Sequence, residues 1–188
     1  LTKGYRTCIK KRCVKGSLFA SVVRVFSMKV HKAMNVYKGV DAFITPSEFL
    51  KKKLIENGFD ENKITCIPTF TASKSEVGKP QVGTYGLYFG RVTEEKGVDT
   101  VVKAYEMMPD RHVKIMGDDT TDEAKRLKAY IKEKKIQNVE FLGFKAGEEL
   151  EEIIKGARFT LIPSIWYDNL PNTALESFQY SKPVIASN

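Results

Sequence analysis

The stretch LYFGRVTEEKGVDTVVKAY, residues 87–105, reads as an apolar strand, a polar turn and a helix in immediate succession. Leu87–Phe89 and its neighbours form the apolar run. Gly90–Gly97 breaks it, and Val98–Met108 continues in helical form. The same unit then recurs. His112–Met116 is a second strand, followed by a charged helix from about Thr121 to Lys135. Val139–Phe144 is a third strand with a short helix at Glu148–Lys155. Phe159–Pro163 and Pro183–Ala186 are further strands, separated by a helix at Asn172–Tyr180. Strands that alternate with helices predict a parallel sheet covered on both faces, a Rossmann-like α/β domain. Ligands of such sheets sit at the carboxyl ends of the strands, near the point where the strand order reverses. Residues directly after strands therefore carry the most weight.

Upstream of this domain, residues 71–83, TASKSEVGKPQVG, have the composition of a linker. Before them, Val40–Thr45 reads as a short strand, Ser47 as the N-cap of a helix closed by Asn57-Gly58, and Ile64–Pro68 as another strand. From Ser17 to Lys38 the pattern is helical, with Leu18, Val22, Phe26, Val30 and Met34 at spacing four. Two readings of that stripe stay open: packing against a sheet, or seating in a membrane interface with its basic residues toward lipid headgroups. The expected division is residues 1–70, 71–83 and 84–188: a partial N-terminal α/β segment, a linker and the Rossmann-like domain.

The net charge of +8 is concentrated. Residues 1–40 hold ten Lys or Arg and no acid, more positive charge than the whole chain nets. Such a segment attracts anionic surfaces, lipid or nucleic acid. No stretch approaches the ~18 consecutive apolar residues of a membrane span. The first residues do not resemble a secretory signal. Cys8, Cys13 and Cys66 are an odd set without a closed disulfide framework, which fits a reducing cytoplasm. With only His31 and His112 to join them, they are expected to be free thiols rather than metal ligands.

Three segments after strands carry candidate chemistry. In Gly90–Gly97, Arg91 and Lys96 lie at the mouth of the sheet, where a guanidinium fork and an ammonium neutralise a diphosphate without a metal. They read equally well as solvated cations balanced by Glu94 and Glu95. Gly117, in Ile115–Asp119, and Gly143, before Phe144, allow close backbone approach to a ligand or simply a tight turn. In Pro163–Glu176, Pro171 marks the first turn of a helix whose exposed amides suit a phosphate. Glu176 is placed to accept hydrogen bonds from ribose hydroxyls, and Asp168 lies over the reacting end of a ligand. The bland alternative leaves Glu176 on backbone amides and Asp168 merely exposed. The chain has no G-x-G-x-x-G fingerprint and no Walker A sequence, which removes most of the case for dinucleotides and P-loop chemistry.

Taken in order, FITPSEFLKKKLIENG, YFGRVTEEKGVDTVVKAY, IMGDD, VEFLGF and LIPSIWYDNLPNTALESFQYSKPVIAS resemble the family 4 (group 1) retaining glycosyltransferases, over about Val40 to Asn188. The last piece is the most specific, because the family carries two acids separated by seven residues there. This chain has Asp168 where the first is usually Glu, and Glu176 as the second. The resemblance implies a GT-B fold, with residues 84–188 as its C-terminal, donor-binding domain, incomplete at its end. Residues 1–70 would be the last part of the acceptor-side domain, so the chain is expected to be a piece of a longer protein. It also implies that Arg91 and Lys96 hold the diphosphate of a nucleotide-sugar. Gly90, Gly117 and the backbone of Asn169, Leu170, Pro171, Asn172 and Thr173 would line the donor, Glu176 would bind ribose, Gly143 and Phe144 would border the base, and Asp168 would face the sugar. Metal-independent transfer with retention follows, without a cofactor. The acceptor would be a glycan or lipid-linked sugar at the cytoplasmic face of a membrane, with residues 1–40 toward its anionic surface and no nucleic acid as partner. A noncatalytic nucleotide-sugar binding module and a basic peripheral membrane or nucleic-acid binding protein are the alternatives.

Overall fold

The computed structural model describes residues 5–71 and 82–187 and divides the chain into two compact units, Leu1–Cys66 and Ile67–Asn188. Most of the expected linker, residues 72–81, lies outside the described residues.

The first unit opens with α1 (Arg6–Lys10). Arg12 adopts a left-handed conformation, its N–H donates to the Ile9 carbonyl, and the Cys13 N–H donates to the Cys8 carbonyl, each at 3.1 Å. This is a Schellman ending, which brings the residues in the positions of Cys8 and Cys13 side by side. Among the described residues no group of three metal-ligating side chains forms around them or elsewhere. Ser17 caps α2 (Leu18–Ala33), its hydroxyl accepting from the Ala20 N–H. The sequence pattern extended this helix to Lys38. It stops earlier because Asn35 turns left-handed and a 3-10 turn follows at Val36–Gly39. The residues of α2 that are buried are Ser21 and Val25, whereas Leu18, Val22, Phe26 and Met34 of the spacing-four stripe are exposed. Four-residue steps on a 3.6-residue helix drift round the cylinder, so a stripe drawn that way leaves the buried line. Two short parallel strands, β1 (Phe43–Thr45) and β2 (Ile64–Cys66), flank α3 (Glu48–Glu56). As expected, Ser47 caps α3, and the helix closes at Asn57 with Gly58 at positive φ.

The second unit alternates as the periodicity predicts: β3 (Tyr85–Phe89), α4 (Val98–Glu106), β4 (Val113–Met116), α5 (Asp122–Lys134), β5 (Val139–Gly143), α6 (Gly147–Gly156), β6 (Ala157–Ile162), α7 (Asn172–Gln179) and β7 (Val184–Ala186). All strand pairs are parallel, in the order β5-β4-β3-β6-β7. β3 is central and nearly fully buried because both faces are covered. Tyr88 packs on one side with Val92, Val98, Val102, Ile115, Ala124 and Leu127. Leu87 and Phe89 pack on the other with Met116, Ile154 and Ala157. The chain steps outward from β3 through β4 to β5, then returns to the opposite side of β3 as β6. The switch point therefore lies between the carboxyl ends of β3 and β6.

Two buried polar devices hold this frame. Asn138, entering β5, donates from Nδ2 to the carbonyls of Tyr105, Met108 and Arg111 at 2.7–2.9 Å, gathering the end of α4 and the turn beyond it. Thr160 of β6 donates to the Ser177 hydroxyl at 2.8 Å, and Ser177 in turn donates to the Thr173 carbonyl at 2.5 Å, so α7 is fastened to the sheet.

A candidate donor site at the switch point

Gly90–Gly97 leaves the end of β3, and Pro163–Pro171 leaves the end of β6. The two loops are joined backbone to backbone, the Ile165 N–H donating to the Glu95 carbonyl at 3.0 Å. Their approach demands glycine at 97. That residue has φ +65°, and a Cβ there would lie 2.0 Å from the Pro163 carbonyl oxygen. Gly117 serves a similar purpose, since a Cβ there would lie 2.0 Å from the carbonyl oxygen of Gly90. Its smallness lets two loops pack. Gly143 has φ +71° and no atom closer than 3.9 Å to an added Cβ, so its role is the turn itself.

Of the two cations, Arg91 stays outward, its side chain 67% exposed and 4.0 Å from Glu95. Its carbonyl accepts the Tyr88 hydroxyl at 2.6 Å, which anchors the second residue of the loop to the strand. Burial pushes the Tyr88 phenol well above its usual range, so it stays a donor. Lys96 is turned in. Its Nζ binds the Asp168 carboxylate, the two side chains being 17% and 22% exposed. Asp168 also accepts from the Ser164 hydroxyl at 3.0 Å, and Lys96 Nζ lies 5.6 Å from the centre of the Trp166 ring. Burial alone would raise the Asp168 carboxyl. The hydrogen bonds from Lys96 and Ser164, the Lys96 charge and the Trp166 indole outweigh it and hold the group below the usual carboxylate range.

Helix α7 starts at Asn172, where the sequence reading placed it, but Pro171 stands before its first turn rather than in it. Pro171 is the N-cap, with ψ 126°, and Asn172 is the first helical residue. The helix begins at the carboxyl edge of the sheet, where its first amides, at Asn172 and Thr173, have no partner within the helix. Glu176 lies half-buried on the second turn. Burial pushes its carboxyl above the usual carboxylate range. Asn169, Leu170 and Thr173 are half-buried and Phe144 is exposed. The acids of IMGDD are spent locally: Asp118 accepts from Thr120 and Asp119 pairs with Lys128.

The structure thus brings Lys96 and Asp168 together at the mouth between β3 and β6, while Arg91 stands on the same edge facing outward and α7 starts in the loop that follows β6. Gly117, Gly143 and Phe144 stand at the ends of the neighbouring β4 and β5. Sequence reasoning passed over Ser164 and Trp166, although both lie inside the segment it singled out. It also passed over Asn138, which has no local pattern to betray it.

Residues 70–188 match the model of the family described as glycosyl transferases group 1. An uncharacterized glycosyltransferase of Methanocaldococcus jannaschii is 30% identical over 104 residues, 54% of this chain and 26% of that protein. Among solved structures, Anabaena HepE in complex with UDP and glucose superposes with a TM-score of 0.66 at 20% identity, over 78% of this chain and 44% of that one. A glycosyltransferase from Rickettsia africae gives 0.67 at 22% identity, over 79% and 44%. The chain spans about a quarter of the curated relative and under half of the solved proteins. At these identities the superpositions speak for the fold, and the family match covers the whole sheet described above.

Proposed function

The chain belongs to the group 1 glycosyl transferases, and on that premise we propose that its second unit binds a nucleoside-diphosphate sugar at the switch point for transfer of the sugar with retention. The observation that carries the reading is the placement of Arg91, Lys96 and the start of α7 on one edge of the sheet, in the loops that leave β3 and β6, which offers a diphosphate two cations and a helix start. The HepE structure holds UDP, which makes UDP the first nucleotide to try. In this reading Glu176 receives the ribose hydroxyls, and among the described residues no donor occupies its carboxylate. The segment from Asn169 to Thr173 lines phosphate and sugar, Gly90 and Gly117 close the floor, and Gly143 and Phe144 border the base.

Chemically, the bond between the anomeric carbon and the diphosphate oxygen breaks, and its electron pair leaves with the nucleotide. Arg91, Lys96 and the helix amides stabilise that developing charge, which is where preorganised dipoles contribute most. The acceptor hydroxyl attacks from the face the phosphate leaves, and its proton passes to a phosphate oxygen. Asp168 faces the sugar and stabilises the oxocarbenium-like centre without forming a covalent intermediate. Fixed protein cations take the place of a metal. The acceptor is a glycan or a lipid-linked sugar, met at the cytoplasmic face of a membrane. The basic residues of 1–40 and the exposed apolar side chains of α2 support that location, and salt-sensitive binding to anionic vesicles tests it.

Calorimetric titration with UDP, GDP and ADP in buffer containing EDTA tests the donor site. One nucleotide binds saturably, and Arg91→Ala, Lys96→Ala and Glu176→Gln each weaken it about tenfold. Unchanged affinity in all three variants would refute the site, and abolition by EDTA would refute the metal-free reading.

A further inference from the structure

Lys96 has an anion already. The Asp168 carboxylate holds it across 72 residues of sequence, and Ser164 and Trp166 close round the pair. We infer that Asp168 is an internal counter-anion which the donor's diphosphate displaces, so that nucleotide binding and release of Asp168 toward the sugar are one event. The inference rests on the donor reading above.

The electrostatics force an exchange. An ammonium has three protons and can bridge two anions. Here, though, a carboxylate and a diphosphate within a few ångströms of one Nζ, both partly withdrawn from water, repel each other strongly. Asp168 is held below the usual carboxylate range, which favours displacement of the carboxylate over its protonation. Its loop lies at the surface, with Ile165, Trp166 and Tyr167 exposed. The loop is tied to the Lys96 segment through the Ile165–Glu95 backbone bond. The pairing keeps a partly buried cation neutralised until the diphosphate takes over, and the nucleotide contributes the energy of opening it.

Trp166 is the chain's one tryptophan and packs beside the pair, so its fluorescence reports the exchange directly. The full chain, Asp168→Asn, Lys96→Met, the double variant and Ser164→Ala are titrated with UDP, GDP and ADP by calorimetry and Trp166 emission. Thermal unfolding serves as the check on folding. Asp168→Asn is expected to tighten the preferred nucleotide by about three- to tenfold, and its free emission spectrum to shift toward that of the saturated parent chain. Ser164→Ala leaves both charges in place and gives a smaller tightening in the same direction, which serves if Asp168→Asn folds poorly. In the Lys96→Met background, removing Asp168 no longer tightens binding, because the cation under competition is gone. Equal or weaker binding by Asp168→Asn and Ser164→Ala overturns the inference. So does equal tightening with and without Lys96, which would mean simple charge repulsion. If the parent and every variant bind no nucleotide, the donor reading falls and takes this inference with it. Nucleotide binding without tightening removes the inference alone.

Discussion

Glu176 and Asp168 are the two acids of one motif, and their surroundings drive them in opposite directions. Burial raises the Glu176 carboxyl above its unfolded value, so between the two values the native chain holds more protons than the unfolded one. Stability then falls as pH rises through that window, and the penalty persists at neutral pH. Glu176→Gln, which carries no charge, is expected to melt higher than the parent at pH 7 while binding nucleotide more weakly. Its advantage should vanish below the ordinary carboxylate range, where both side chains are neutral, and melting curves across pH check this. The lowered Asp168 contributes with the other sign: its stabilisation is present above the ordinary range and lost as pH falls through the lowered value. Positions and residue types of both acids were readable in the sequence, because the spacing is local. Their opposed environments were not, since Lys96 reaches Asp168 only once β3 and β6 lie side by side.

At the scale of elements, every strand and helix of the second unit stands within about two residues of where periodicity placed it, because buried parallel strands and amphipathic helices write their period into the chain. The misplacements have local causes. Asn35 ends α2 early by turning left-handed, whereas α7 starts at Asn172 as read, with Pro171 as its cap rather than in its first turn. What the pattern hides is the fastening between elements. Asn138 is 7% exposed and joins the end of α4 to the start of β5 through three carbonyls. Asn138→Ala leaves those acceptors without their donor and is expected to cost about 2 kcal/mol. The change should appear as a lower denaturation midpoint with an unchanged slope. Asn138 stands at the amino end of its strand, away from the switch point, so nucleotide affinity should hold in the folded variant. A loss of affinity equal to that of Arg91→Ala would show that the two ends of the sheet are coupled.

For the molecule as a whole, the polarity of the sheet decides where function can lie. All five strands of the second unit point the same way, so every loop that follows a strand opens on one edge and every loop that precedes one opens on the other. The first edge carries Gly90–Gly97, Gly117–Asp119, Phe144 and Pro163–Thr173. The second carries Thr84, His112 and Asn138. The family match, residues 70–188, embraces both edges and does not choose between them. The choice comes from charge, helix starts and backbone approach at the first edge. If a nucleotide binds there, amide exchange should slow in 90–97 and 163–173 by a factor that grows with nucleotide concentration, since ligand binding stabilises the closed form by mass action. The 84 and 111–114 segments at the opposite edge should exchange at the same rate with and without nucleotide. Because local opening is measured residue by residue, the two edges serve as each other's control. Slowing confined to the opposite edge would move the site, whatever the motif says. Equal slowing at both would mean that the sheet responds as one cooperative unit, with the loops transmitting the ligand's grip through the buried strand β3.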